Sequence, residues 1–153
     1  MKDKKVLAKN KKAYFDYEVL DKIEAGIQLS GSEVKSCREG KANFKGAFVD
    51  VFNRECFVNE MHISRYRHSS EQDYKPTRKR RLLLHKREIE KLGSKLNETG
   101  VTAIPLEIYL KGVIIKCLIG ICRGKKKFDK RETLKKRSQD LEVKRSVKKF
   151  VEI

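Results

Sequence analysis

Apolar and aromatic residues recur at Tyr17, Val19, Ile23, Ile27 and Leu29 and mark a first strand from about Tyr14 to Leu29, broken by Gly26. A long strand with an internal glycine is how a small barrel turns a corner. Ser30-Gly31-Ser32-Glu33 then reads as a capping box opening a short helix through Val34 and Cys37, ended by Gly40. Two β-rich runs follow, Ala47 to Phe52 and Cys56 to Ile63, with Asn53-Arg54-Glu55 between them as a hairpin signal. Residues 64–81 are polar and without a clear period, which predicts a loop. Ile89, Leu92 and Leu96 share one face of an amphipathic helix from about His85 to Glu98, stopped by Gly100. Ile104, Leu106, Ile108 and Leu110 alternate with Pro105, Glu107, Tyr109 and Lys111. Beyond a Lys111-Gly112 turn, Val113, Ile115, Cys117, Ile119 and Ile121 share a face, and Ile114 and Leu118 make the other face apolar too. This last strand is expected to be buried on both sides, and Pro105 predicts an unpaired stretch in its hairpin partner.

About five strands, one helix after the first and another before the last hairpin predict a mainly β fold with flanking helices. An oligonucleotide-binding (OB-type) small barrel fits that size and content best, while strand count alone also admits an SH3-like barrel or another α+β sheet. After Arg123 the pattern lapses. Leu134, Leu141, Val143, Val147, Phe150 and Val151 are too sparse for a core, and Arg137 and Ser138 break the only helical stripe. Three parts are therefore expected: a basic N-terminal arm (1–12), the barrel (13–123) and a basic C-terminal tail (124–153). The tail is expected to be disordered when free and to become helical against a phosphate-rich surface.

Charge sharpens this division. The 153 residues carry 38 Lys+Arg against 21 Asp+Glu, a net charge of +17. The arm holds +5, residues 123–153 hold +8, and residues 13–122 only +4. Within that core, Lys75, Arg78, Lys79, Arg80, Arg81, Lys86 and Arg87 form a stripe of seven bases and no acid, leaving the remainder at −3. Three concentrated cationic elements on a near-neutral body point to a polyanion, because neutralising phosphates releases condensed counterions. Nucleic acid is favoured over an anionic membrane, since the tail lacks the apolar face of a helix that lies on lipid. No stretch reaches the roughly 20 apolar residues of a membrane span, and Met1-Lys2-Asp3-Lys4-Lys5 runs into no apolar segment. A cytosolic protein without membrane contact is expected.

Candidate chemistry is sparse. Cys37, Cys56, Cys117 and Cys122 form no CxxC pair, and His62, His68 and His85 complete no metal-ligand spacing, so reduced buried thiols are expected, with no metal and no cofactor. The phosphate-binding, nucleophile-elbow and zincin patterns GxGxxG, GxxxxGK[ST], GxSxG and HExxH are absent, and no clustered carboxylates suit a metal-dependent nuclease. An enzyme is not expected.

Five segments occur in an order that resembles one family. They are Glu24-Ala25-Gly26-Ile27-Gln28-Leu29, Gly31-Ser32-Glu33-Val34-Lys35-Ser36, Arg38-Glu39-Gly40-Lys41-Ala42-Asn43, Arg81-Leu82-Leu83-Leu84-His85-Lys86-Arg87-Glu88 and Gly124-Lys125-Lys126-Lys127-Phe128-Asp129-Lys130-Arg131-Glu132. Over about residues 9–150 the chain closely resembles the SsrA-binding protein (small protein B) family, the bacterial partners of tmRNA in trans-translation. The resemblance implies an oligonucleotide-binding barrel that binds the tRNA-like domain of tmRNA, protects it and promotes its aminoacylation. It further implies delivery with elongation factor Tu to ribosomes stalled without a usable codon. The tail would enter the decoding centre and empty mRNA channel. The implied RNA contacts are Asn10, Glu24, Leu83 and His85, with Lys11 and the stripe Arg78, Lys79, Arg80, Arg81 and Lys86 as neighbours. The implied tail residues are Gly124, Lys125, Lys126, Phe128, Asp129, Lys130 and Arg131. Phe128 stands where relatives often have Tyr or His, and His85 where some have Asn.

Residue chemistry agrees with that implication. Glu24, an acid, repels phosphate but suits accepting hydrogen bonds from base edges. Leu83 follows the basic stripe and can pack on an unstacked base or ribose. Lys125 to Lys127 with Phe128 pair charge with one stacking ring. A monomeric, non-enzymatic adaptor is expected; a basic ribosomal-type protein held permanently on rRNA is the alternative.

Overall fold

The computed structural model describes residues 4–125. Along the chain come β1 (Lys4–Lys9), α1 (Lys11–Asp16), β2 (Tyr17–Ile27), α2 (Gly31–Arg38) and β3 (Ala42–Asn43). Then follow β4 (Phe48–Phe52), β5 (Glu55–Asn59), β6 (His62–Ile63), β7 (Arg80–Leu83), α3 (Lys86–Leu96), β8 (Val101–Lys111) and β9 (Ile114–Gly124). The main sheet runs β1-β8-β4-β5-β7-β2-β9, and β9 pairs back onto β8, closing an antiparallel barrel. Closure leaves β1, which pairs only with β8, as an edge strand beside the barrel. The mainly β, OB-type expectation holds.

Local chemistry explains the elements. Ser30 caps α2 as a capping box: its hydroxyl accepts from the Glu33 N–H, and Glu33 accepts from the Ser30 N–H. Asn53 and Arg54 both take positive φ (53° and 63°), giving the tight β4–β5 turn the twist that joins antiparallel strands. Gly112 at φ 65° turns β8 into β9. In β8, Pro105 faces Ile119 and Glu107 faces Leu118, so the unpaired stretch expected at Pro105 is reduced to one bulged residue, Leu106, while Pro105 itself keeps a place in the ladder.

Four expectations change. The first strand begins at Tyr17 rather than Tyr14, because Asn10 caps a helix: its Oδ1 accepts from the Ala13 N–H while its Nδ2 donates to Pro105 O. The described part of the 1–12 stretch is no free arm, since β1 pairs with β8 from Lys4↔Lys111 to Lys9↔Glu107 and Leu7 and Ala8 pack on the core. The Cys56–Ile63 run is cut at Glu60, whose positive φ (60°) separates β5 from a short β6 that pairs with β3. The 64–81 loop ends at Lys79, because β7 fills the gap between β5 and β2.

One core fills the barrel, built from Ile23, Val49, Val58, Leu82, Ala103, Ile108, Ile119 and Ile121 among others, with Leu92 of α3 fully buried against it. A smaller cluster on the outside of the β8–β9 hairpin packs Ala13 of α1 on Ile104 and Leu106, with Leu118 beside them. That cluster covers the second face of β9 at Leu118, but Ile114 at the start of the strand is exposed, so burial on both sides is confined to the later part of β9. At Gly120 a Cβ would lie 2.7 Å from Leu106 Cδ1, so only glycine admits that leucine. Lys125 fastens the end of β9 to α1: its N–H donates to Asp16 O and its Nζ to Tyr14 O. Gly124 and Lys125, expected in the tail, therefore belong to the barrel. Lys126, Phe128, Asp129, Lys130 and Arg131 lie outside the described residues, as does the expected helix formation of the tail.

Candidate nucleic-acid interface

The seven bases of the stripe do not share one environment. Strand alternation across β7 sends Arg80 and Leu82 inward and Arg81 and Leu83 outward. Arg80 is 0% exposed. Its Nε donates to Glu33 Oε2 at 2.6 Å, one terminal nitrogen to Met61 O (2.6 Å) and Arg78 O (3.3 Å), and the other to Pro76 O (2.9 Å) and the Tyr74 hydroxyl (3.4 Å). All five N–H groups have acceptors within the protein. Arg80, expected at the RNA, is therefore a structural hub that ties the 64–79 loop to α2. Its side chain is closed to solvent in this fold.

Arg78 is half-buried on the same carboxylate, its Nε 3.2 Å from both oxygens of Glu33 and its terminal nitrogen bonded to one of them. Burial pushes the Glu33 carboxyl up, and this is the largest single influence. Arg78, the Ser30 amide and Arg80 together outweigh it and hold the group below the usual carboxylate range. Lys79 lies over the Phe57 ring at 4.4 Å and the Phe52 ring at 5.8 Å. Arg81, exposed on β7, has a loose ion pair with Glu55 at 3.6 Å. Lys75, Lys86 and Arg87 are exposed.

A groove of about 660 Å³ opens between β2, β7, the start of α3 and the start of β9. It collects Glu24, Arg81, Leu83 and His85 of the expected contacts, and adds Ile114 and Lys116 of β9. Leu83 is 52% exposed and Ile114 55% exposed, so the groove has apolar patches that no part of the described chain covers. Gly26 pairs with Leu83, and a Cβ there would stand 3.3 Å from the Leu83 Cβ. The glycine lets Leu83 lie close over β2. The His85 N–H donates to the Glu88 carboxylate at the start of α3, leaving the imidazole exposed at the rim.

Glu24 is held from behind by the Tyr109 hydroxyl, which donates to Oε2, and by Lys111 Nζ, 3.2 Å from Oε1. The Tyr109 bond is the strongest influence lowering the Glu24 carboxyl from its ordinary range. Lys111 and Lys116 act in the same direction, against the opposing effect of burial. Lys4 stands 4.4 Å over the Tyr109 ring and 3.0 Å from Glu107, fastening β1 to the back of this network. Tyr109, Lys111, Ile114 and Lys116 were not among the contacts expected from the sequence. Their signal lies in the strand register, where Tyr109 pairs with Lys116 and Lys116 in turn with Gly26, two residues from Glu24.

Asn10 and Lys11 are not brought to this groove. They line a second one of about 810 Å³, between α1, the 42–48 segment and Thr102. Lys9 of β1 is separated from Glu24 by Glu107 and Leu118, three strand spacings or about 14 Å along the sheet. The Asn10 amide is occupied by its cap and by Pro105; Lys11 remains exposed.

Among the described residues no three His, Cys, Asp or Glu side chains are grouped to hold a metal. All four cysteines are free and buried. Burial pushes the Cys37 and Cys122 thiols up to about 11 and the Cys56 and Cys117 thiols up to about 12, far from the thiolate form that catalysis requires. No helix among the described residues is long and apolar enough to cross a membrane.

The family model "SmpB protein" matches residues 7–149 of this chain. The chain belongs to the SmpB family. It is 50% identical over 142 residues to the SsrA-binding protein of Staphylococcus carnosus, covering 93% of this chain and 91% of the relative. It is 47% identical over 144 residues to that of Treponema denticola, covering 94% of each. A solved chain described as "tmRNA-SmpB: a journey to the center of the bacterial ribosome" superposes with a TM-score of 0.68 at 40% identity, over 83% of this chain and 93% of that one.

Proposed function

We propose that this member of the family binds tmRNA through its tRNA-like domain and delivers it to stalled ribosomes in trans-translation. The observation that carries the reading is the groove joining Glu24, Arg81, Leu83 and His85, in a chain half identical to SsrA-binding proteins along most of its length. An apolar floor takes an unstacked base or ribose, Arg81 and Lys116 attract its phosphates, and Glu24 accepts hydrogen bonds from a base edge. Likeness to SsrA-binding proteins, and to the chain described with tmRNA and the ribosome, favours an adaptor over a permanent rRNA component.

The basic residues beyond Lys125 supply the ribosomal half of the function, entering the decoding centre and mRNA channel with Lys126, Phe128, Asp129, Lys130 and Arg131. The chain acts as a monomer, elongation factor Tu joins it in the delivery complex, and the cytoplasm follows as the place where ribosomes work. No catalytic step is assigned to the chain.

Two assays separate the halves. Truncation after Lys125, which keeps the bonds from Lys125 to α1, is expected to retain tmRNA affinity within about threefold and to abolish peptide tagging. Loss of tmRNA binding in that variant overturns the division. Sequencing the RNA that co-purifies with the intact chain is expected to return one small stable RNA; ribosomal RNA in equal amount overturns the adaptor reading.

A further inference from the structure

We propose that Tyr109 is a positioning residue for RNA recognition: its hydroxyl donates to Glu24 and fixes that carboxylate on the groove rim with free lone pairs toward a base edge. The inference rests on the tmRNA-binding reading of this groove. A glutamate on a strand has several rotatable bonds and, with its side chain 38% exposed, would sweep the rim if left to solvent. Tyr109 does not sweep. It is 2% exposed, held within β8 by pairing to Lys116, with the Lys4 ammonium over its ring. Its hydroxyl reaches Glu24 from the side away from the groove: Glu24 lines the groove and Tyr109 does not.

The second partner of Glu24 is of a different kind. Lys111 is half exposed, and an exposed ammonium on a flexible stem is easily displaced or shared with a phosphate. When a base arrives, Lys111 can turn to the RNA backbone and free Oε1, while the buried hydroxyl keeps Oε2 in place. Orientation then costs nothing at binding because the fold has already supplied it. A fixed acceptor also discriminates, since a base offering no donor there leaves a desolvated carboxylate unsatisfied.

The charged and titratable groups around Glu24 are Tyr109 and Lys111 from β8, Lys116 from β9, Arg81 from β7, Glu55 from β5, and His85 and Glu88 at the start of α3. Protonation turns one Glu24 oxygen into an O–H donor and removes the charge that strengthens acceptance at the other, so affinity falls as pH drops through the Glu24 titration. Tyr109 lowers that titration, so its removal moves the fall to higher pH. The other groups are common to both proteins, so the difference between the two profiles isolates the hydroxyl.

The test is a double-mutant cycle on the full chain, measured as affinity for the tRNA-like domain of tmRNA across pH. Tyr109→Phe keeps the buried ring and is expected to weaken binding about tenfold and to move the acid limb upward. In a Glu24→Ala background the same substitution is expected to change affinity less than about twofold, because its effect passes through Glu24. Equal losses in both backgrounds, or an unmoved acid limb, overturn the proposal while tmRNA binding by the parent chain leaves the function standing. A parent chain that ignores this RNA sinks the function itself. Should Tyr109→Phe fail to fold, the parent profile decides alone: an acid limb with its midpoint at or above the ordinary glutamate value of 4.5 contradicts a carboxylate held low.

Discussion

Replacing Arg80 by alanine separates the buried cation of the stripe from the exposed ones proposed to meet RNA, and its cost follows from the hub geometry. The substitution strips Glu33, a fully buried carboxylate, of one of its two guanidinium partners. It also leaves Met61 O and Pro76 O without the donors they have at 2.6 and 2.9 Å. Removing one partner from a buried ion pair costs about 3–5 kcal/mol, against well under about 1 kcal/mol for an exposed pair. For a domain of this size that lowers the melting temperature by about 10–20 °C and the urea midpoint by about 2 M, with the slope unchanged. Arg81→Ala is the contrast. Its exposed side chain has only the 3.6 Å contact with Glu55, so stability should stay within about 0.5 kcal/mol. Its tmRNA affinity should fall, and the slope of log affinity against log salt should become shallower by about one unit. Urea titration and salt-dependent binding at 10 °C, where both variants are folded, give the two readouts. An Arg80→Ala protein with an unmoved midpoint and a shallower salt slope would place Arg80 on phosphate and refute the hub. The double variant Glu33→Leu/Arg80→Met should regain part of the lost stability, since an apolar pair needs no counter-charge.

Three further outcomes are expected. Leu92→Ala, which empties a fully buried site between α3 and the barrel, should cost about 2–5 kcal/mol in urea titration and leave the salt slope of RNA binding unaltered. Leu83→Asp should leave the melting temperature within about 3 °C, because the residue is 52% exposed, and should cut tmRNA affinity by at least about tenfold; unchanged affinity would leave the groove without a role. The ion pairs of Glu33 give a pH dependence. Its folded-state value lies below its ordinary 4.5, so its contribution is present above about pH 4.5 and is lost as pH falls through the lower folded value. Glu33→Gln should therefore flatten the acid side of the urea midpoint against pH, and an equally steep acid limb in the variant would assign the sensitivity elsewhere.

Local and periodic signals were enough for most of the fold. The capping box at Ser30, the β4–β5 turn, the apolar stripe of α3 and the alternation of β8 and β9 each act within about ten residues, the range over which a side chain and its backbone select a conformation. The family resemblance is equally linear, carried by five segments read in order. What pairing decided was different. Whether β1 is an arm or a strand depends on a vacant edge of β8 more than 90 residues away, and whether Arg80 or Arg81 meets solvent depends on which face of β7 the barrel encloses. A run of like charges looks uniform as a sequence, because charge carries no record of direction. Only tertiary structure turned one arginine inward to a buried glutamate, its neighbour outward to the groove, and brought Tyr109 behind Glu24 from a strand 85 residues along the chain.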